Sequence, residues 1–126
     1  MARFDKYNPV SGGSRAPLAA AYTGAVAALA VGLNSSGRVV AGAGQSGIVG
    51  VVAIPTNRAA GDVVDMMRSG EIVDFIGAAG TVYTANTTTG VISATAKSAT
   101  QIPVGFTVEA TRLVVNVSIL EFDATA

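Results

Sequence analysis

The chain has 126 residues, half of them hydrophobic and 13% charged, and its 8 Lys and Arg balance its 8 Asp and Glu. It has no cysteine and no histidine, which excludes disulfides, Cys/His zinc sites, cysteine nucleophiles and a Ser-His-Asp relay. The charges are scattered, with no basic face to neutralise phosphates, so nucleic acid is not an expected partner.

A chain of this length fits one domain. Its apolar residues are dominated by Ala and Val, and the 15 glycines and 4 prolines imply many turns. Thin, closely packed β-layers made of short strands are expected, rather than a helical bundle.

Residues 1–17, "MARFDKYNPVSGGSRAP", are polar, carry Gly12-Gly13 and two prolines, and read as an extended N-terminal arm ahead of a single β-domain over residues 18–126. Phe4, Tyr7 and Pro9 are its apolar anchors, and Arg3, Asp5 and Lys6 its polar contacts. Two courses are open to the arm: across a partner surface, or back onto its own domain as an added strand. The sequence starts at Met1, and the expectation is a product made in the cytoplasm and not secreted.

From Ala16 to Leu33, "APLAAAYTGAVAALAVGL" holds 18 residues without a charge, the minimum length of a membrane span. Ala and Gly predominate and Tyr22-Thr23-Gly24 interrupts the middle, so no membrane role is expected. "AVAALAVGL" followed by "NSSGR" reads as a strand and a turn, because Asn and Ser side chains bond nearby backbone and Gly37 is permissive. The turn leads into Val39 and Val40.

In "AGAGQSGIVG", residues 41–50, Gly42, Gly44 and Gly47 spell G-x-G-x-x-G, a dinucleotide-binding fingerprint that works only at the start of a helix. The glycines run instead into "IVGVVAIP", residues 48–55, β-branched at five of eight positions. Such residues lose rotamer freedom in a helix and pack well on a sheet. The segment is a strand, and no cofactor is expected, although Asp65 lies near the distance of a ribose-binding acid. Both parities of the strand are apolar, so it is expected to be buried on both faces, with Gly50 at a bulge or a close approach of another chain.

"TNRAAGDVVDMM" leads through "RSG" into "EIVDFI" and reads as a hairpin, in preference to a helix over residues 59–68. Asp62, Asp65, Glu71 and Asp74 alternate with apolar residues, as on solvated strand faces; catalytic acids would need burial and charge coupling. "GTVYTANTTTGVISA" is a second hairpin, turning over residues 86–90. In "FTVEATRLVVNVSILEF" the residues Leu113, Val115, Val117 and Ile119 share one face, while Arg112, Asn116 and Ser118 lie on the other with Val114 and Leu120. The fold class is therefore all-β: a compact β-sandwich or small β-barrel of short hairpins, preceded by the arm.

The succession "SGIVGVVAIP", "GDVVDMMRSGEIVDF", "GTVYTANTTTGVISAT" and "PVGFTVEATRLVVNV" resembles the small decoration, or cement, proteins of tailed bacteriophage capsids. The resemblance spans roughly residues 24 to 120. It lies in the spacing of strands and turns, with no catalytic signature in it. It implies a non-enzymatic virion protein on the outer capsid surface, a homotrimer that clamps subunits of the major capsid protein, with no catalytic, cofactor-binding or metal-ligating residues. An arm carrying Arg3, Phe4, Asp5, Lys6, Tyr7 and Pro9 would reach over a capsid subunit. The alternative from the same residues is a self-assembling structural or head-fibre-base subunit.

Overall fold

The computed structural model describes residues 3–4, 13–22, 28–53, 57–73, 75 and 77–117. The strands in chain order are β1 (Arg3–Phe4), β2 (Gly13–Pro17), β3 (Leu29–Leu33), β4 (Val39–Ala41), β5 (Gly50–Val52), β6 (Val63–Met67), β7 (Ser69–Val73), β8 (Val82–Asn86), β9 (Ile92–Ser93), β10 (Gln101–Glu109) and β11 (Arg112–Asn116). No helix occurs among the described residues.

The strands form two antiparallel sheets: sheet one in the order β1-β7-β11-β10-β8-β9, and sheet two in the order β2-β6-β5-β3-β4. The architecture is a compact all-β sandwich, with sheet two curled into a half-barrel. The curl brings the chain leaving β2 alongside β4, where Leu18 bridges Val39 in parallel and the Ala19 N–H donates to the Val39 carbonyl at 2.9 Å.

Two apolar cores result. One lies between the sheets and holds Ala30, Ile48, Val51 and Met67 of the sheet-two side against Ile72, Tyr83, Ala85, Ile102, Val104, Leu113 and Val115 of sheet one. The other sits within the curl of sheet two and is made of Leu18, Val31, Val39, Val52, Val64 and Met66. Strands of sheet two thus feed opposite cores with successive residues: Ala30 then Val31, Val51 then Val52, Met66 then Met67. This is the physical reason for the unbroken apolar run at 48–53, which is buried on both faces as its pattern requires. The close approach at Gly50 comes from this chain's own β6, since a Cβ there would stand 3.0 Å from the Met66 Cβ.

The turns are those the polar residues specify. Asn34 Oδ1 accepts from the N–H groups of Ser36 (2.9 Å) and Arg38 (3.0 Å), closing β3 onto β4. Asn86 Oδ1 accepts from Thr88 (2.8 Å) and Thr89 (3.0 Å), closing β8 onto β9. The second turn also ties the sheets together, because the Ala43 N–H donates to Thr87 and the Ala30 N–H to Gly90.

One hairpin expectation is corrected. "GDVVDMM" and "SGEIV" are strands but not partners: β6 pairs with β2 and β5 in sheet two, whereas β7 pairs with β1 and β11 in sheet one. A single residue, Arg68, separates them, so the chain passes from one sheet into the other at a corner. The corner lets Met67 of one limb and Ile72 of the other enter the core between the sheets from opposite sides. The backbone continues through Gly70, which at φ 145 packs on the Met67 side chain.

The described part of the N-terminal segment folds back on the domain. Arg3 and Phe4 pair with Val73 and Ile72, and Gly13 to Pro17 pair with Met67 to Val63. Arg15 Nε meets Asp65 Oδ1 at 2.8 Å on the exposed side of this pairing, a contact worth well under about 1 kcal/mol in water. Asp5, Lys6, Tyr7 and Pro9 lie outside the described residues.

Candidate interaction surface

The glycine triplet is a connecting loop between β4 and β5, with Gly42, Gly44 and Gly47 at φ 82, 54 and 83. Four of its amide groups donate within the protein. Gly42 N–H donates to Ala30, Ala43 to Thr87, and Gln45 and Ser46 both to Leu33, while Ser46 Oγ accepts from the Leu33 N–H at 2.8 Å. A phosphate would need these donors, and β5 stands where the helix would have to begin. The melting temperature is accordingly expected to be unchanged at saturating nucleotide; a rise would reveal binding to the folded state.

The carboxylates are dispersed. Asp62 accepts from the Ala59 N–H at 2.9 Å, Asp65 pairs with Arg15, and Glu71 faces Arg112 at 3.4 Å. Asp74 lies outside the described residues. Among the described residues no three metal-ligating side chains gather. Tyr22 packs against the core inside the curl and exchanges backbone hydrogen bonds with Arg58. Burial raises its phenol above the usual tyrosine range, so it stays neutral at physiological pH.

The most unusual surface lies on the outer face of sheet one, and its origin is a β-bulge. Along β10 the register with β8 slips between Pro103 and Gly105, so Val104 is an extra residue and the parity beyond it inverts. Alternation carried on from buried Ile102 and Val104 would put Phe106 and Val108 inward and Thr107 outward. The structure does the reverse: Thr107 is buried, while Phe106 is 44% and Val108 48% exposed. Phe106 lies opposite Val82 on one side, itself 61% exposed, and opposite half-buried Val114 on the other. An apolar row thus crosses β8, β10 and β11 on a face that antiparallel sheets normally keep polar.

The buried threonine is held by hydrogen bonds. Thr107 Oγ1 donates to the Ala78 carbonyl and accepts from the Thr81 N–H at 3.1 Å, and its backbone binds Gly80 and Thr81. This fastens the turn ahead of β8 to β10. Replacing Thr107 with valine keeps the shape and orphans two backbone groups, which should cost about 1–3 kcal/mol. The denaturant midpoint should fall with the m-value unchanged.

Beside the row, Arg112 Nη2 bonds Glu109 at 2.9 Å and Nη1 reaches Glu71 at 3.4 Å. Glu71 is the cross-strand partner of Val114, so this ionic group borders the apolar one. The sequence signal that could have disclosed the row was Val114, an apolar residue on the strand's polar face. Phe106 and Val108 were missed because the bulge that turns the β10 residues outward has no signature beyond Gly105.

The chain is similar throughout its length to a solved structure from Mycobacterium phage Patience, with a TM-score of 0.81, 22% identity, and coverage of 93% of this chain and 96% of that one. At this identity the likeness is one of fold. No family model and no curated protein matches the sequence.

Proposed function

We propose that this chain is a non-enzymatic phage virion protein that decorates the outer surface of an icosahedral shell and stabilises contacts between major capsid protein subunits. The observation that carries this reading is the fold it shares, end to end, with a chain from a phage. The order of strands and turns that resembles capsid decoration proteins supports it, as does the apolar row on an otherwise finished β-sandwich. The same reading makes the protein a product of the host cytoplasm that assembles as a homotrimer, needs no cofactor, and uses Arg3, Phe4, Asp5, Lys6, Tyr7 and Pro9 against the shell. Its physical logic is multivalency: contacts that are weak singly hold firmly when a symmetric oligomer engages several subunits at once.

The test is co-sedimentation of the purified chain with empty, expanded shells of its phage over a concentration series. Saturation at a fixed ratio to the major capsid protein is expected. No binding by a demonstrably folded chain would overturn the reading in favour of a self-assembling structural or head-fibre-base subunit.

A further inference from the structure

We infer that the row Val82, Phe106 and Val114, extended by Val108, is the surface through which this chain docks on the shell, and that it meets an apolar patch bordered by a lysine or arginine. The inference rests on the decoration reading and adds a contact of the folded sandwich to those of the N-terminal residues.

Three observations converge on it. The first is the inverted polarity of β10, where the bulge at Val104 turns Phe106 and Val108 to solvent and puts a threonine in the core. Local rules of patterning are broken in this way chiefly where function requires it. Phe106 also stands between Val82 and Val114 by strand register, so the exposed groups form one surface and not scattered side chains.

The second observation is size. Val82, Phe106 and Val108, at their exposures of 61%, 44% and 48%, present on the order of 300 Å². A stable two-protein complex buries about 800 Å² on each partner. The row is too small to hold a second copy of this chain by itself, but it suits a lattice where many such contacts act together.

The third observation is charge. Two carboxylates, Glu71 and Glu109, share the single guanidinium of Arg112 at the border of the row. Among the described side chains the carboxylates of this group outnumber the guanidinium by one, and a basic residue on the partner complements the excess.

The experiment compares the wild-type chain with Phe106→Thr and Val82→Thr in the shell co-sedimentation assay. Threonine keeps strand propensity at both exposed positions, and melting curves confirm that the variants fold. Val63→Thr, exposed on β6 of sheet two, is the control. The expected result is apparent affinity lowered about tenfold or more by either row variant, as for a central apolar anchor, with the Val63 variant unchanged. Wild-type occupancy by both row variants would overturn the docking surface and leave the decoration reading intact. Absence of wild-type binding would overturn both. Concentration-dependent self-association of the free chain that Phe106→Thr abolishes would assign the row to a second copy, and so overturn the inference as well.

Discussion

Replacing Gly32 with alanine is expected to lower stability by about 3 kcal/mol or more, because overpacking against rigid neighbours adds to lost loop hydrogen bonds. Gly32 sits within β3, and a Cβ there would lie 2.2 Å from the Ala43 carbonyl oxygen and 2.6 Å from that of Gly47. Both neighbours are backbone, so neither can swing aside. The 42–47 loop would have to lift from β3, breaking the bonds from Gln45 and Ser46 to Leu33 and loosening Ala43 from Thr87. Gly37→Ala provides the contrast. Nothing lies within 4 Å of its Cβ position, and only its φ of 77 is penalised, by about 1–2 kcal/mol. Denaturant unfolding of the two variants checks this, and equal losses would mean that the loop does not rest on β3.

Leu113→Ala is expected to cost about 2–5 kcal/mol, the range for a large-to-small change that leaves a cavity. Leu113 is fully buried between the sheets. It lies on β11 opposite Thr107 of β10 and Ile72 of β7, so the surrounding strands can collapse little without breaking ladders on both sides. Val114→Ala, one residue along on the outer face, should cost less than about 1 kcal/mol, since surface substitutions rarely do more. The pair reports which face of β11 is inside. Similar losses at both positions would refute the assigned register.

Much of the sandwich could be read from the residues that determine it. Asn34 and Asn86 marked their turns because a short amide side chain bonds the backbone just ahead of it. The alternation in "RLVVNV" put Leu113, Val115 and Val117 on one face, and that face is the buried one. Isoleucine and valine after Gly47 ruled out the nucleotide-binding helix, and β5 runs there. The elements that stayed hidden are those decided by long-range packing. "RSG" has the chemistry of a hairpin turn, yet β6 and β7 belong to different sheets, with Met67 and Ile72 meeting the core between the sheets from opposite sides. The slip at Val104 depends on how β8 meets β10, and without it the alternation of Ile102 and Val104 would carry Phe106 inside. For the candidate surface, the apolar residues were visible but the face they occupy was not.

The corner at Arg68 also bears on how the chain acquires this structure in time. β2 is made early but finds its partner in β6, far along the chain, and β1 must wait for β7. Loop closure over such separations has to precede the contacts that reward it, which slows folding. A nascent chain would hold its first strands unpaired until both limbs of the corner had emerged. Those limbs are consecutive, so β6 and β7 offer docking edges to both early strands almost together. The N-terminal strands would then be captured along a single continuous stretch, before β8 to β11 complete sheet one.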